Sequence, residues 1–168
     1  MIDTAILNEG WDTSIDWDGL AEAAVNHAIR LSPHSALADI DTPVEIAIRL
    51  TSDAEVHILN RSYRQKDKPT NVLSFSMVDP EALDGLAEAG EPEIMLGDIV
   101  LAKETCAREA ADKGIAVNAH ATHLIVHGVL HLIGFDHISD ADAEEMEGLE
   151  RLIMAQLGHD DPYGDETR

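Results

Sequence analysis

Residues 127–137, HGVLHLIGFDH, constrain this chain more than any other stretch. Their histidines, His127, His131 and His137, follow the spacing HxxxHxxGxxH. Two histidines four apart lie one above the other on a single helical face, so both imidazoles can reach one ion. Gly134 comes three residues after His131, where a left-handed residue ends a helix without a Cβ clash. The chain can then double back and deliver His137 as a third nitrogen ligand. Three protein ligands leave a fourth tetrahedral position open, which is the arrangement of a catalytic zinc and not of a closed structural one. The expectation is a long central helix with a metal site at its end.

The remaining elements are read from period and punctuation. Residues 2–7 form a first strand with a polar interruption. Asp16 is the N-cap of a helix running through Leu31, with Leu20, Ala24, Ala28 and Leu31 at helical spacing and Pro33 beyond its end. Residues 44–51 alternate, Val44, Ile46, Ile48 and Leu50 against Glu45, Ala47, Arg49 and Thr51, as a half-buried strand does. Ser52 with Glu55 is a capping box for a helix whose apolar face carries Val56, Leu59 and Tyr63 and which ends near Arg64. Residues 71–77 read as a strand with Leu73, Phe75 and Met77 inward. Residues 79–93, with Pro80 and Pro92, read as an exposed loop, and residues 95–101 as a strand buried on both faces. A helix over about 102–113 ends at Gly114, and the histidine helix spans about 117–133. Ser139 with Asp142 caps a last helix with Met146, Leu149, Ile153 and Leu157 as its buried stripe and Gly158 at its end. The tail from about residue 159 is polar and reads as loose. Without regular β-α alternation, this pattern predicts a single α+β domain over residues 1–168, one mixed sheet of about four strands surrounded by about five helices.

Charge narrows the partners. Thirty-three acidic residues against eleven basic ones give a formal net charge of −22, which argues against non-specific coating of nucleic acid. Yet Arg61, Arg64, Lys66 and Lys68 fall within eight consecutive positions opposed only by Asp67, whereas residues 79–98 carry seven acids and no lysine or arginine. A polyanion is drawn to one local patch on a repellent body. The N-terminus lacks a basic-then-apolar leader, and no apolar run approaches the roughly 20 residues of a membrane span. A cytoplasmic protein with no membrane partner is expected. The lone cysteine, Cys106, reads as a small buried hydrophobe.

Metzincin proteases share the histidine spacing, as HExxHxxGxxH, and there the glutamate takes the proton from the zinc-bound water. Gly128 occupies that position in this chain, so peptide hydrolysis by that route is not expected. Zinc is the leading metal because imidazole suits it and it is redox-inert, at one ion per chain; nickel, copper and iron are the alternatives. His120 and His123 share the face of His127 and His131, either as supports for the ligands or as packed or solvated residues. Asp98 and Asp136 either orient ligands or hold backbone.

The segment HLIVHGVLHLIGFDH, residues 123–137, closely resembles the signature of the YbeY family of bacterial endoribonucleases, also called rRNA maturation factors. Two further blocks agree, LNRSYRQKDKPTNVLSF over residues 59–75 and LGDIVLA over residues 96–102. The likeness covers most of residues 44–157, while the first forty residues and the tail add little. It implies a metal-dependent, single-strand-specific endoribonuclease of ribosomal RNA processing, including small-subunit maturation, and of ribosome quality control. It further implies ribosomal RNA as substrate, with ribosomal proteins or assembly GTPases as partners. Carried over by motif position, His127, His131 and His137 are the implied metal ligands and Arg64 the arginine needed for activity. Ser76 departs from the family, where proline is common, which bears on strand geometry more than on chemistry.

An arginine presents a planar fork suited to phosphate, so Arg64 reads as a clamp on the scissile phosphate and Arg61, Lys66 and Lys68 as substrate-binding residues. The plainer alternative is that this run only solvates a loop. The expected chemistry is hydrolysis of an RNA phosphodiester by a metal-activated water whose pKa is lowered toward roughly 7. Single-stranded RNA is the easier substrate, because a duplex brings more phosphates against the acidic surface. Two other readings compete: a ribosome-assembly binding protein whose metal mainly holds the His137 turn, and a metzincin-like zinc hydrolase of peptides or small substrates.

Overall fold

The alternation over residues 44–51 becomes strand β2 (Val44–Thr51), with Val44, Ile46, Ile48 and Leu50 buried on one face and Glu45, Ala47 and Arg49 half-buried on the other. This is seen in a computed structural model, which describes residues 2–64, 70–88, 90–136 and 138–164, with backbone alone at 64, 87 and 88. Strand β1 (Ile2–Asn8) pairs with β2 in parallel on one side. On the other side β2 pairs in parallel with β4 (Ile94–Ala102), and β3 (Val72–Ser76) closes the sheet antiparallel to β4. The order is β1-β2-β4-β3, a mixed sheet. Parallel neighbours cannot be joined by a hairpin, so helices must cross over the faces.

Among the described residues there are five such helices. α1 (Trp17–Arg30), α4 (Val117–Leu132) and α5 (Asp140–Gln156) pack with Ile46, Ile48, Ile99 and Leu101 in the main core. α2 (Asp53–Arg64) covers part of the opposite face, where Val56 and Leu59 meet Leu73, Phe75, Val100 and Ala102. α3 (Lys103–Lys113) buries Cys106 and Ala110 and ends at Gly114 in the left-handed conformation. α4 is central, buried from His120 to Val126 without interruption and again at Val129, Leu130 and Leu132. Each large aliphatic side chain so enclosed contributes about 1.5–3 kcal/mol.

The helix starts follow their caps. Asp16 Oδ1 accepts from Gly19 N at 3.0 Å, Ser52 Oγ from Glu55 N at 3.2 Å and Ser139 Oγ from Asp142 N at 3.1 Å. Each cap is worth about 1 kcal/mol. The side chain of Glu55 also pairs with Arg49, at 3.4 Å, across the open sheet face.

Three expectations change. Residues 79–93 are not simply an exposed loop: Pro80–Glu88 winds as a 3₁₀ helix that buries Leu83 and half-buries Leu86. Those leucines are three apart, which is the repeat that brings side chains onto one edge of a 3₁₀ turn. Met77, read as inward, is 60% exposed, because it lies beyond Ser76–Gly97, the last ladder pair of the edge strand. Finally, His159–Gly164 is pinned rather than loose. Lys113 Nζ donates to Pro162 O at 3.2 Å and Arg151 Nε to Asp161 Oδ1 at 3.2 Å. Residues 165–168 lie outside the described residues. No helix among the described residues is long and apolar enough to cross a membrane.

Candidate metal centre

On α4, the four-residue spacing stacks His127 above His131, with ring centroids 4.5 Å apart and planes at 83°. Their Nε2 atoms face each other at 3.0 Å. What holds them there is behind each ring. His131 Nδ1 lies 2.9 Å from the carbonyl oxygen of Phe135. A carbonyl only accepts, so His131 carries a proton on Nδ1, and its neutral form has its lone pair on Nε2. The sharp turn at Gly134 supplies that carbonyl. Gly134 sits at φ +103°, and a Cβ there would come within 2.9 Å of Pro80 Cβ, so both conformation and space call for glycine. The turn at Gly134 therefore also orients the second imidazole.

His127 Nδ1 lies 2.8 Å from Glu150 Oε1. Glu150 is wholly buried, and its Oε1 also accepts from His123 Nε2 at 3.0 Å while Oε2 accepts from the Tyr163 hydroxyl at 2.5 Å. Burial alone would push the Glu150 carboxyl up, but the hydrogen bonds from His123 and His127 hold it down at about 2. It is thus a carboxylate, an acceptor only, so His127 Nδ1 donates to it, and the neutral form of His127 also has its lone pair on Nε2. Two lone pairs cannot hydrogen-bond to each other, yet they can share a cation. Imidazole nitrogens about 2.0–2.1 Å from a tetrahedral zinc stand roughly 3.3–3.4 Å apart, close to the separation here. Among the described residues no third histidine, cysteine or carboxylate joins the pair. His137 lies outside the described residues, as do Lys66 and Lys68. The donor set present, two imidazoles each oriented by an acceptor behind its ring, fits zinc.

The other sequence-singled residues fall as follows. Arg61 is exposed on α2, across the sheet from α4, and Arg64 is the last residue of α2, with its side chain outside the description. His123 is a support, through Glu150. His120 is also buried, with Nε2 2.9 Å from Glu109 Oε1, and burial lowers its pKa against the opposing pull of Glu109. Asp98 is half-buried on β4, facing the α2 side of the sheet beside Arg49 and Tyr63, and Asp136 is exposed. Cys106 is buried, and burial, reinforced by Glu109, pushes its thiol up to about 12, far from a thiolate ligand.

Glu150 is the functional residue that sequence reading passed over. A signal existed: it stands four residues after Met146 and three before Ile153, on the buried stripe of α5, where an unpartnered acid would be costly. An acid at such a position asks for a partner.

Gly128 explains why the protease glutamate has no counterpart. A Cβ at 128 would lie 2.9 Å from Ile99 Cγ2 and 3.1 Å from Ser74 Oγ, because this side of α4 rests on the sheet and not on the histidine pair. Gly128→Glu is expected to destabilise the domain by at least about 3 kcal/mol, through overpacking and an unpaired buried charge. That is a fall of roughly 10 °C in melting temperature for a chain of this size, with no gain of casein hydrolysis. A variant melting like its parent would show that position 128 has room after all.

Fold and site together define a class: a single-domain α+β protein whose centre is a helix-borne imidazole pair braced by a buried carboxylate. The family model described as Endoribonuclease YbeY matches residues 5–158, and the chain belongs to that family. An endoribonuclease YbeY of Rhizorhabdus wittichii is 56% identical over 164 residues, 97% of each chain. One of Sphingopyxis alaskensis is 55% identical over 156 residues, 93% of each chain. The solution structure of TM1509 from Thermotoga maritima aligns over 98% of this chain and 100% of its own with a TM-score of 0.55 at 21% identity, a likeness of fold.

Proposed function

We propose that this chain is a metal-dependent, single-strand-specific endoribonuclease of the cytoplasm, acting in ribosomal RNA maturation, including that of the small subunit, and in ribosome quality control. Endoribonuclease activity comes with the family. The observation that supports a metal is the pair of Nε2 atoms at 3.0 Å, each turned inward by a hydrogen-bond acceptor behind its ring. His127, His131 and His137 would hold one zinc. Held there, zinc would supply Lewis acidity toward a phosphoryl oxygen and would activate a water for attack. Arg64 grips the scissile phosphate with a bidentate fork, and Arg61, Lys66 and Lys68 track the adjoining backbone. Ribosomal proteins or assembly GTPases are the partners this role calls for.

The test compares one RNA sequence as single strand and as duplex, with zinc present and after chelation. The single strand is expected to be cut only with metal, and the duplex to be spared. Equal cleavage of both, or cleavage that survives chelation, would overturn the reading. In the same assay, replacing Lys66 and Lys68 with alanine is expected to weaken RNA binding without stopping cleavage at saturation. The slope of log affinity against log salt should become shallower by about 0.7 for each phosphate contact removed. An unchanged slope would return these lysines to a solvated loop.

A further inference from the structure

Gly158, at φ +86°, turns the chain out of α5, and the segment that follows folds back against the helix. Three ties fix it. Arg151 Nε donates to Asp161, Lys113 Nζ to Pro162 O, and Tyr163 N to Asp161 Oδ1 at 2.8 Å. The Arg151 guanidinium lies 5.2 Å from the centre of the Tyr163 ring, which meets the His123 ring edge-on at 5.4 Å. The result is a phenol hydroxyl delivered to Glu150 Oε2 at 2.5 Å.

Glu150 thus has a divided set of partners. Oε1 faces the histidine helix, accepting from His127 and His123, and Oε2 faces the C-terminal strap, accepting from Tyr163. The residue is 0% exposed, so bulk water does not stand in for a missing donor at its surface. Without the phenol, Oε2 loses a charge-assisted bond in a site of low dielectric. The carboxylate then relieves that loss by rotating, and rotation slackens its hold on His127.

We propose that Tyr163 is a positioning residue of the metal centre: its hydroxyl locks the Glu150 carboxylate in the orientation that keeps His127 Nδ1 donating and His127 Nε2 turned toward His131. The inference rests on the reading of His127 and His131 as metal ligands. It adds that the C-terminal strap, though remote in sequence from the signature, determines how well that site binds. Outer partners of metal-bound histidines influence affinity because they fix ring orientation and basicity.

Tyr163→Phe removes the hydroxyl alone and keeps the ring against His123 and Arg151. In the full chain, Zn²⁺ affinity measured by competition with a chromophoric chelator is expected to fall roughly tenfold, and further in Glu150→Gln. Long-range ¹H–¹⁵N spectra of the protein stripped of metal are expected to show His127 as the Nδ1–H tautomer in the parent and as a mixture in Tyr163→Phe. A merely structural role would lower the melting temperature of the stripped protein and leave both readouts unmoved. The proposal is overturned if Tyr163→Phe binds Zn²⁺ within twofold of the parent with the His127 tautomer unchanged. Should the parent itself bind no Zn²⁺, the metal reading fails, and the tautomer alone then decides whether Tyr163 acts on His127.

Discussion

Replacing His131 with alanine is expected to abolish RNA cleavage while leaving the domain folded. The hydrogen bond to the Phe135 carbonyl is worth about 1 kcal/mol, partly offset by the roughly 0.5 kcal/mol by which alanine favours a helix over histidine. The core beside it is built of apolar side chains, Leu124, Val129, Leu130 and Leu132 with the sheet. The chemical loss is large. Removing one of two oriented Nε2 donors should take bound zinc from about one per chain toward none, and a Lewis acid worth several kcal/mol in the transition state corresponds to a rate lower by about 10³ or more. Metal analysis, a melting curve and cleavage of a ribosomal RNA fragment check the three parts together. A variant that loses its metal and melts would favour the assembly-protein reading, with the ion as scaffold. One that keeps cutting would place the chemistry away from these histidines.

Much of this site is legible in residues 127–137, because its geometry is local. A four-residue spacing and a glycine three residues on determine a stacked pair and a turn with little help from the rest of the fold. Strand β2 is legible for the same reason, since alternation over eight residues reports a half-buried strand directly. What the sequence conceals is what comes from far away. Glu150 reaches His127 across 23 positions, and nothing near either residue says that α5 packs against α4 at that level. The strap is concealed further, because aspartate, proline and tyrosine in a polar tail look like solvated chain until Arg151 and Lys113 are seen to tie them. The 3₁₀ segment at residues 80–88 was hidden by its acids, which outnumber the two leucines that anchor it. Local period reads well, and tertiary partners of polar groups do not.

Acidity bears on substrate choice in the same physical way. With a net charge of −22, the body as a whole repels RNA, and under the proposed function the cations at residues 61–68 would offset that repulsion locally. A strand that touches only that patch meets little repulsion. A duplex, carrying one charge per roughly 1.7 Å of axis, meets far more.

The second large effect is expected at Arg64. It ends α2 on the sheet face away from α4, and the chain then leads to β3, the edge strand that adjoins the histidine helix: Ser74 Oγ donates to Gly128 O at 3.3 Å, one residue from His127. Arg64→Ala is expected to lower the cleavage rate by about 10²–10³, the cost of losing one donor set that meets developing charge in the transition state. Zinc content and melting temperature should stay at the parent's values if the arginine's role is confined to the phosphate. Arg64→Lys separates charge from shape: a lysine keeps the cation and loses the planar fork, so its rate should fall between the two. Single-turnover cleavage at saturating RNA reads the effect on the chemical step, and filter binding reads affinity. If Arg64→Ala weakens binding and leaves the saturated rate unchanged, the arginine is a docking contact and the assembly-protein reading gains. If the rate falls with affinity held, the arginine acts at the phosphate undergoing cleavage, and the acidic body, the imidazole pair and the basic segment work as parts of one nuclease.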